Sequence, residues 1–325
     1  MSSKPLLSDL IVLLDSGTLD FGDLPLAALQ KLGHFKAYPF TRPADVARRI
    51  GKARQVIVNK CVLNAETLKH ARFLKAVHVA ATGVNNVDLQ AAREAGIRVT
   101  NVAGYSTESV VQLTFSFLLA AAVNLLKYDQ ALHGGAWSQS RFFMWPRFPV
   151  SEIHGKTLGV IGCGTIGRRV CEVGGAFGLK ILTCRIPGRS YPSKDSRRVS
   201  LSRLLKESDY LTIHAPLTPL TRDLIGEREL RTMKRSACLI NMARGGIVNE
   251  KALLKALKKK WIANAATDVL VQEPPRADEP LLKLPNLIAM PHMGWASLES
   301  RRRLIDEVAR NIEAFRSGKK RNCVV

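Results

Sequence analysis

Thr157-Leu-Gly-Val-Ile-Gly-Cys-Gly-Thr-Ile-Gly167 is a short apolar run that breaks into glycines spaced G-x-G-x-x-G. A run of this kind reads as a strand turning straight into a helix. Gly162 permits the tight turn, Gly164 lets a backbone approach a pyrophosphate, and Gly167 lets the next helix, expected over 168–177, pack close to the sheet. The N–H groups at that helix start attract anions. Alone the spacing is weak, since glycine-rich turns also occur where nothing binds. Its context strengthens it: Lys180-Ile-Leu-Thr-Cys184 supplies a second strand and completes a βαβ unit. We read the stretch as a dinucleotide site.

Downstream, strands are expected at Thr157–Gly162, Lys180–Cys184, Tyr210–Ile213, Ala237–Asn241, Ile262–Thr267 and Leu287–Met290, with helical stretches at Leu201–Glu207 and Glu250–Lys259 between them. Strands alternating with helices imply a parallel sheet of the Rossmann type. Upstream, residues 1–102 repeat the same rhythm, from Leu10–Leu14 to Ile97–Thr100. The final helix, Ser297–Phe315, carries Leu298, Ile305, Val308, Ile312 and Phe315 at helical spacing, and its expected place is against the first layer. The expectation is an α/β chain of two doubly wound parallel-sheet domains with a cleft between them. A flavodoxin-like substrate domain takes residues 1–102 and 296–325, and a Rossmann nucleotide-binding domain takes 103–295. A chain of 325 residues exceeds the usual size of one core.

Composition narrows the function. Six scattered cysteines without a C-x-x-C pair fit a reducing compartment and no structural metal. The start, Met1-Ser-Ser-Lys-Pro5, leads into an apolar run that ends at Asp15, too short for a signal peptide, so the expected location is cytoplasmic. Val110–Leu126 is apolar but contains Gln112, Thr114, Ser116 and Asn124, which predicts a helix from Glu108 buried between domains and not in lipid. The net charge of +22 suits a solvated basic surface that attracts anionic substrates better than it suits nucleic acid, because no nucleic-acid fold is recognisable. Between Gly135 and Pro149 lie two Trp and three Phe in a segment that Gly and Pro keep irregular. Such an aromatic arm needs a partner surface, and a homodimer through residues 108–150 is expected.

The chemistry should sit where strands end. Asn241-Met-Ala-Arg244, Asp268 with Glu273-Pro-Pro275, and Pro291-His292 follow three consecutive strands, and carboxyl ends of parallel strands line one edge. His292 is the side chain suited to give a proton near neutral pH, Glu273 to orient it, and Arg244 to fork onto a substrate carboxylate and carbonyl. Asp268 would face the nicotinamide end of a dinucleotide. In the first layer, Lys60 and the Gly83-Val84 backbone either hold a small anion or form ordinary loops.

Taken together, these residues carry a resemblance to the D-isomer-specific 2-hydroxyacid dehydrogenases. It rests on Gly162-Cys-Gly-Thr-Ile-Gly167, His214-Ala-Pro-Leu-Thr218 with Thr221, Asn241-Met-Ala-Arg-Gly-Gly246, Thr267-Asp-Val269, Glu273-Pro274 and Pro291-His-Met-Gly294, and it runs nearly end to end. Trp295-Ala-Ser297 and Tyr105-Ser-Thr-Glu-Ser109 are most similar to glycerate dehydrogenases, also called hydroxypyruvate reductases. The resemblance implies catalytic Arg244, Glu273 and His292, and substrate contacts at Lys60, Gly83, Val84, Arg244 and His292. Cofactor contacts are implied at Thr107, Gly162, Gly164, Thr165, Ile166, Gly167, His214, Ala215, Pro216, Thr221, Met242, Ala243, Arg244, Asp268, His292 and Gly294. The implied reaction reduces hydroxypyruvate or glyoxylate to the D-2-hydroxy acid. A dinucleotide-sensing scaffold, or a phosphite- or formate-type dehydrogenase, is the alternative on the same fold.

One position departs from relatives that use NAD. Where they carry an acid at the end of the second Rossmann strand, this chain has Arg185, 18 residues past Gly167, followed by Arg189, and no carboxylate stands between Lys180 and Tyr191. Arg accommodates a 2′-phosphate that an acid would repel, so NADP(H) is the expected cofactor, with NAD(H) possible.

Overall fold

The computed structural model describes residues 9–190 and 198–325. The start at Met1–Pro5 and Tyr191, which closes the acid-free stretch, lie outside the described residues. The chain divides into two compact units, Met1–Ser106 with Ala296–Val325, and Thr107–Trp295.

In the first unit, β1 (Ile11–Leu13), β2 (Phe35–Ala37), β3 (Gln55–Val58), β4 (Ala76–Val79) and β5 (Arg98–Thr100) form a parallel sheet in the order β2-β1-β3-β4-β5. That is the flavodoxin-like order. β1, β3 and β4 are buried along their whole length, as a parallel sheet covered on both faces requires. The helix Leu298–Arg316 belongs here, started by Ser297, whose hydroxyl accepts the Ser300 N–H at 3.2 Å. Arg301 is 3% exposed and forks onto Asp23 at 2.7 and 2.6 Å. Arg303 donates to the Tyr105 carbonyl at 2.9 Å, so two members of the Arg301-Arg-Arg303 run serve packing.

The second unit adds β6 (Thr157–Ile161), β7 (Lys180–Cys184), β8 (Arg198–Val199), β9 (Tyr210–Ile213), β10 (Cys238–Asn241), β11 (Asn264–Thr267) and β12 (Leu287–Ala289). They form a parallel sheet in the order β12-β11-β10-β9-β6-β7-β8, which reverses direction beside β6. Period-two alternation splits its core between two faces. Ile161, Leu211, Ile213 and Leu239 pack on one side, and Leu158, Val160, Tyr210 and Ile240 on the other. Each fully buried aliphatic chain contributes about 1.5–3 kcal/mol.

Four expectations change. The helix after the glycines begins at Thr165 and not at 168, because Gly164 serves as its N-cap. The two-residue β8 and the helix Glu227–Thr232 were not foreseen. The single long helix from Glu108 is two, Thr107–Ala122 and Leu125–His133, bent by 64° at the break. Asn124 makes the break: its φ is 51°, and its side-chain amide donates to the Pro149 carbonyl at 2.7 Å. Among the described residues no single helix is long and apolar enough to cross a membrane. Finally, the aromatic segment has a small core of its own. Tyr128, Trp145 and Phe148 meet edge to face with centroids 5.1 to 6.2 Å apart, and the Tyr128 hydroxyl donates to the Phe148 carbonyl at 2.7 Å. Phe142 and Phe143 stay 69% and 88% exposed.

Candidate active site

β6 delivers the chain into Gly162, whose φ of 99° is the left-handed conformation glycine tolerates. A Cβ there would lie 2.5 Å from the His214 carbonyl carbon, and one on Gly167 would lie 1.9 Å from the Gly162 oxygen. At Gly164 a Cβ would meet nothing within 4 Å. Two of the glycines are therefore demanded by the fold, and the third keeps open the space in front of the helix Thr165–Ala176. Thr165 at its tip is exposed and Ile166 half-buried. This arrangement fits the pyrophosphate of a dinucleotide, which needs unobstructed N–H groups at a helix start.

His214, at the end of the neighbouring β9, adds a polar atom to the same edge. Its Nε2 pairs with the Thr212 hydroxyl at 2.9 Å, while its Nδ1 is buried with no hydrogen-bond partner among the described residues. Burial pushes its pKa down to about 3, so the ring is neutral. An orphaned imidazole nitrogen beside the glycine turn again fits a polar ligand. Ala215 is buried and Pro216 exposed, whereas Thr221 is buried with its hydroxyl spent inside the turn, donating to the Pro216 carbonyl at 2.7 Å. Arg185 and Arg189, both exposed, follow β7 on the other side of β6. Thr107 is half-buried in the first turn of its helix.

The adjacent ends of β10, β11 and β12 carry the candidate catalytic groups. Asn241 shapes the first: its amide donates to the Arg244 carbonyl at 2.9 Å and its oxygen accepts the Ala243 N–H at 3.1 Å. Met242 and Ala243 are thereby buried and Arg244 exposed, with Nη1 on the Ala243 carbonyl at 2.8 Å. Gly245 then packs so tightly on the loop after β11 that a Cβ would fall 2.2 Å from the Leu270 carbonyl carbon. That loop holds Glu273, whose Oε1 accepts the Leu270 N–H at 2.9 Å and whose Oε2 meets His292 Nδ1 at 2.7 Å.

His292 has a φ of 57°, rare for a non-glycine residue. Asp268 holds it there. The Asp268 carbonyl accepts the His292 N–H at 2.9 Å, and its carboxylate takes the Met293 N–H at 2.7 Å and the Gly294 N–H at 2.8 Å. Burial raises the Asp268 pKa, and the Gly294 and Met293 N–H groups oppose that rise. Gly294 is buried against this carboxylate, 2.8 Å from where its Cβ would be. Instead of pointing freely at a cofactor, the Asp268 carboxylate is engaged by backbone.

In the other unit, Lys60 follows β3 and is exposed, and Gly83 and Val84 lie half-buried in the turn after β4. Sequence reading passed over Asp15, whose carboxylate accepts the N–H groups of Asn59, Lys60 and Cys61. Its only signal was an acid closing an apolar strand. It also passed over Glu250, which accepts the Val271 N–H at 2.6 Å and so braces the loop that carries Glu273.

Residues 115–294 match the family described as D-isomer specific 2-hydroxyacid dehydrogenase, NAD binding domain. A glycerate dehydrogenase of Methylorubrum extorquens is 39% identical over 293 residues, 89% of this chain and 91% of that one. A hydroxypyruvate reductase of Blautia hydrogenotrophica is 35% identical over 97% of this chain and 99% of its own. Among solved structures, the TT0316 protein of Thermus thermophilus is similar with a TM-score of 0.86 and 32% identity, covering 97% of this chain and 99% of that one. A glycine turn built for a pyrophosphate, an imidazole paired with a carboxylate at the neighbouring strand end, and likeness over nearly the whole length lead to one conclusion: the chain belongs to the D-isomer specific 2-hydroxyacid dehydrogenase family.

Proposed function

We propose that this dehydrogenase reduces a small 2-oxo acid, hydroxypyruvate or glyoxylate, to the D-2-hydroxy acid, with NADP(H) preferred over NAD(H). The observation that carries the reading is the His292 Nδ1 to Glu273 Oε2 contact of 2.7 Å at adjacent strand ends. When bound, the dinucleotide supplies the hydride. With Nδ1 engaged by the carboxylate, Nε2 is the ring nitrogen that carries a proton to the carbonyl oxygen. Glu273 fixes the orientation of the ring. Arg244 forks onto the substrate carboxylate and polarises the carbonyl. Lys60 and the Gly83-Val84 backbone are proposed as further contacts for the substrate carboxylate. The preference for NADP(H) rests on the exposed Arg185 where an acid would disfavour a 2′-phosphate. The names of the glycerate dehydrogenase and hydroxypyruvate reductase relatives support a three-carbon acid. A homodimer through residues 108–150 is supported by the exposed Phe142 and Phe143.

The test is oxidation of NADPH and NADH followed by absorbance with hydroxypyruvate and glyoxylate. Turnover is expected with at least one of them, and His292→Ala should lose roughly 10²- to 10⁴-fold in kcat. No turnover by the unaltered protein, or an unchanged rate in the His292 variant, sinks the proposal.

A further inference from the structure

We infer that Asp15 and Asn86 are positioning residues for Lys60, an inference that rests on the reading of Lys60 as a substrate-carboxylate contact. The geometry begins where the ladder between β1 and β3 runs out. Leu13 pairs with Ile57, and two residues further on the Asp15 side chain takes over from the backbone. Its Oδ1 accepts the Asn59 N–H at 2.9 Å, and its Oδ2 accepts the N–H groups of Lys60 at 2.5 Å and Cys61 at 2.7 Å. Asp15 is 4% exposed. An ionised carboxylate is acceptor-only, with room for three donors at once, which neither an amide nor a hydroxyl can match without turning a donor inward.

The opposite flank is held from the turn that follows β4. The Asn86 side-chain amide donates to the Cys61 carbonyl at 2.9 Å and to the Asn59 carbonyl at 3.3 Å. The Leu63 N–H then donates to the Asn86 carbonyl at 2.8 Å. Lys60 therefore sits between two residues whose N–H groups are tied to Asp15, just past β1, and whose carbonyls are tied to Asn86, two residues beyond Val84.

Two consequences follow. The Lys60 N–H is spent on Asp15, so any anion held by this residue is held by its side chain. A lysine side chain loses much rotamer freedom when it orders around a ligand, and a backbone fixed in advance lowers the total cost of ordering. A buried negative charge so close to a lysine also opposes anion binding nearby. Set against that cost are the three N–H bonds that fix the backbone on either side of Lys60.

The experiment uses the full chain and follows reduction of the 2-oxo acid that turns over, for Asp15→Asn, Asn86→Ala, Lys60→Met and the Asp15→Asn/Lys60→Met pair. Loss of charge-assisted bonds that place Lys60 should raise KM for the oxo acid roughly ten- to hundredfold in Asp15→Asn, with kcat and dinucleotide affinity little changed. Asn86→Ala should move KM the same way, and it carries the test alone if Asp15→Asn does not fold. In the Lys60→Met background Asp15→Asn should add nothing, because the group it places is gone. A raised KM in Lys60→Met with an unchanged KM in the Asp15 and Asn86 variants overturns the positioning role only. So does an additive double variant. An unchanged KM in Lys60→Met overturns the underlying reading of Lys60 itself, and with it the inference.

Discussion

Asp268 holds His292 in a left-handed turn, its carbonyl on the His292 N–H at 2.9 Å and its carboxylate on the two N–H groups that follow. A left-handed non-glycine residue costs roughly 1–2 kcal/mol, and these three bonds are what offsets that cost here. Asp268→Asn keeps the shape but leaves one oxygen for two donors. The variant should lower kcat more than tenfold while His292 and Glu273 are both still present, and it should destabilise the protein by about 1–3 kcal/mol. Steady-state kinetics with a urea titration checks both. Full activity in Asp268→Asn would mean that the turn holds without its carboxylate.

Cofactor choice is expected to follow charge after β7. A charge-assisted contact to a 2′-phosphate is worth about 1.5–3 kcal/mol, so Arg185→Asp should weaken NADPH binding about tenfold or more and leave NADH nearly unaffected. Fluorescence titration with both dinucleotides gives the comparison. A higher kcat/KM for NADH than for NADPH in the unaltered protein contradicts the assignment.

The aromatic arm makes a prediction about assembly. Tyr128, Trp145 and Phe148 hold its base within the chain, so Phe142 and Phe143 can be changed without touching that cluster. Phe142→Ser with Phe143→Ser is expected to shift a dimer toward monomer in light scattering. An altered protein that remains dimeric at the same concentration refutes the assignment of this surface.

Stability should fall in mild acid because of a buried imidazole. His78 is fully buried between Gln55 and Thr100, at 3.0 and 2.9 Å, and burial, aided by the charge of Arg98, pushes its pKa down to about 3. An unfolded chain binds a proton at this residue below about pH 6.5. The folded chain does not bind it until about pH 3. Stability is therefore full above the first value and declines as pH falls through the window between them, by up to about 1.4 kcal/mol per pH unit for this group. His214 shares the same direction. His78→Gln should make the decline between pH 6 and pH 4 shallower by about one proton in urea titrations, and an unchanged slope would exclude His78 as its source.

Much of this was legible beforehand, for identifiable reasons. The strands Lys180–Cys184 and Tyr210–Ile213 and the helix Leu201–Glu207 lie where the pattern placed them, because apolar runs bounded by polar residues leave little choice. Glu273 and His292 are legible as a pair because parallel strands send their carboxyl ends to one edge, and they meet at 2.7 Å. What stayed hidden were bonds from side chains to distant backbone. Asp15 reaches Asn59 across 44 residues and Asp268 reaches Met293 across 25, and no local periodicity records either. β8 is two residues long, too short to leave a pattern, and the break at Asn124 depends on a carbonyl 25 residues away.

The first unit is made from two stretches of chain that the second unit separates, and this orders events during synthesis. A ribosome releases Met1–Ser106 long before Ala296–Val325 exists, whereas Thr107–Trp295 emerges as one uninterrupted stretch. The nascent first sheet must wait, with Asp23 facing water in place of Arg301 and with the face that the last helix covers still bare. The contiguous unit is free to finish first. A polypeptide that stops short of Ala296–Val325 would thus carry a whole second unit beside a first unit with an exposed, adhesive sheet, the kind of product that chaperones and proteases select.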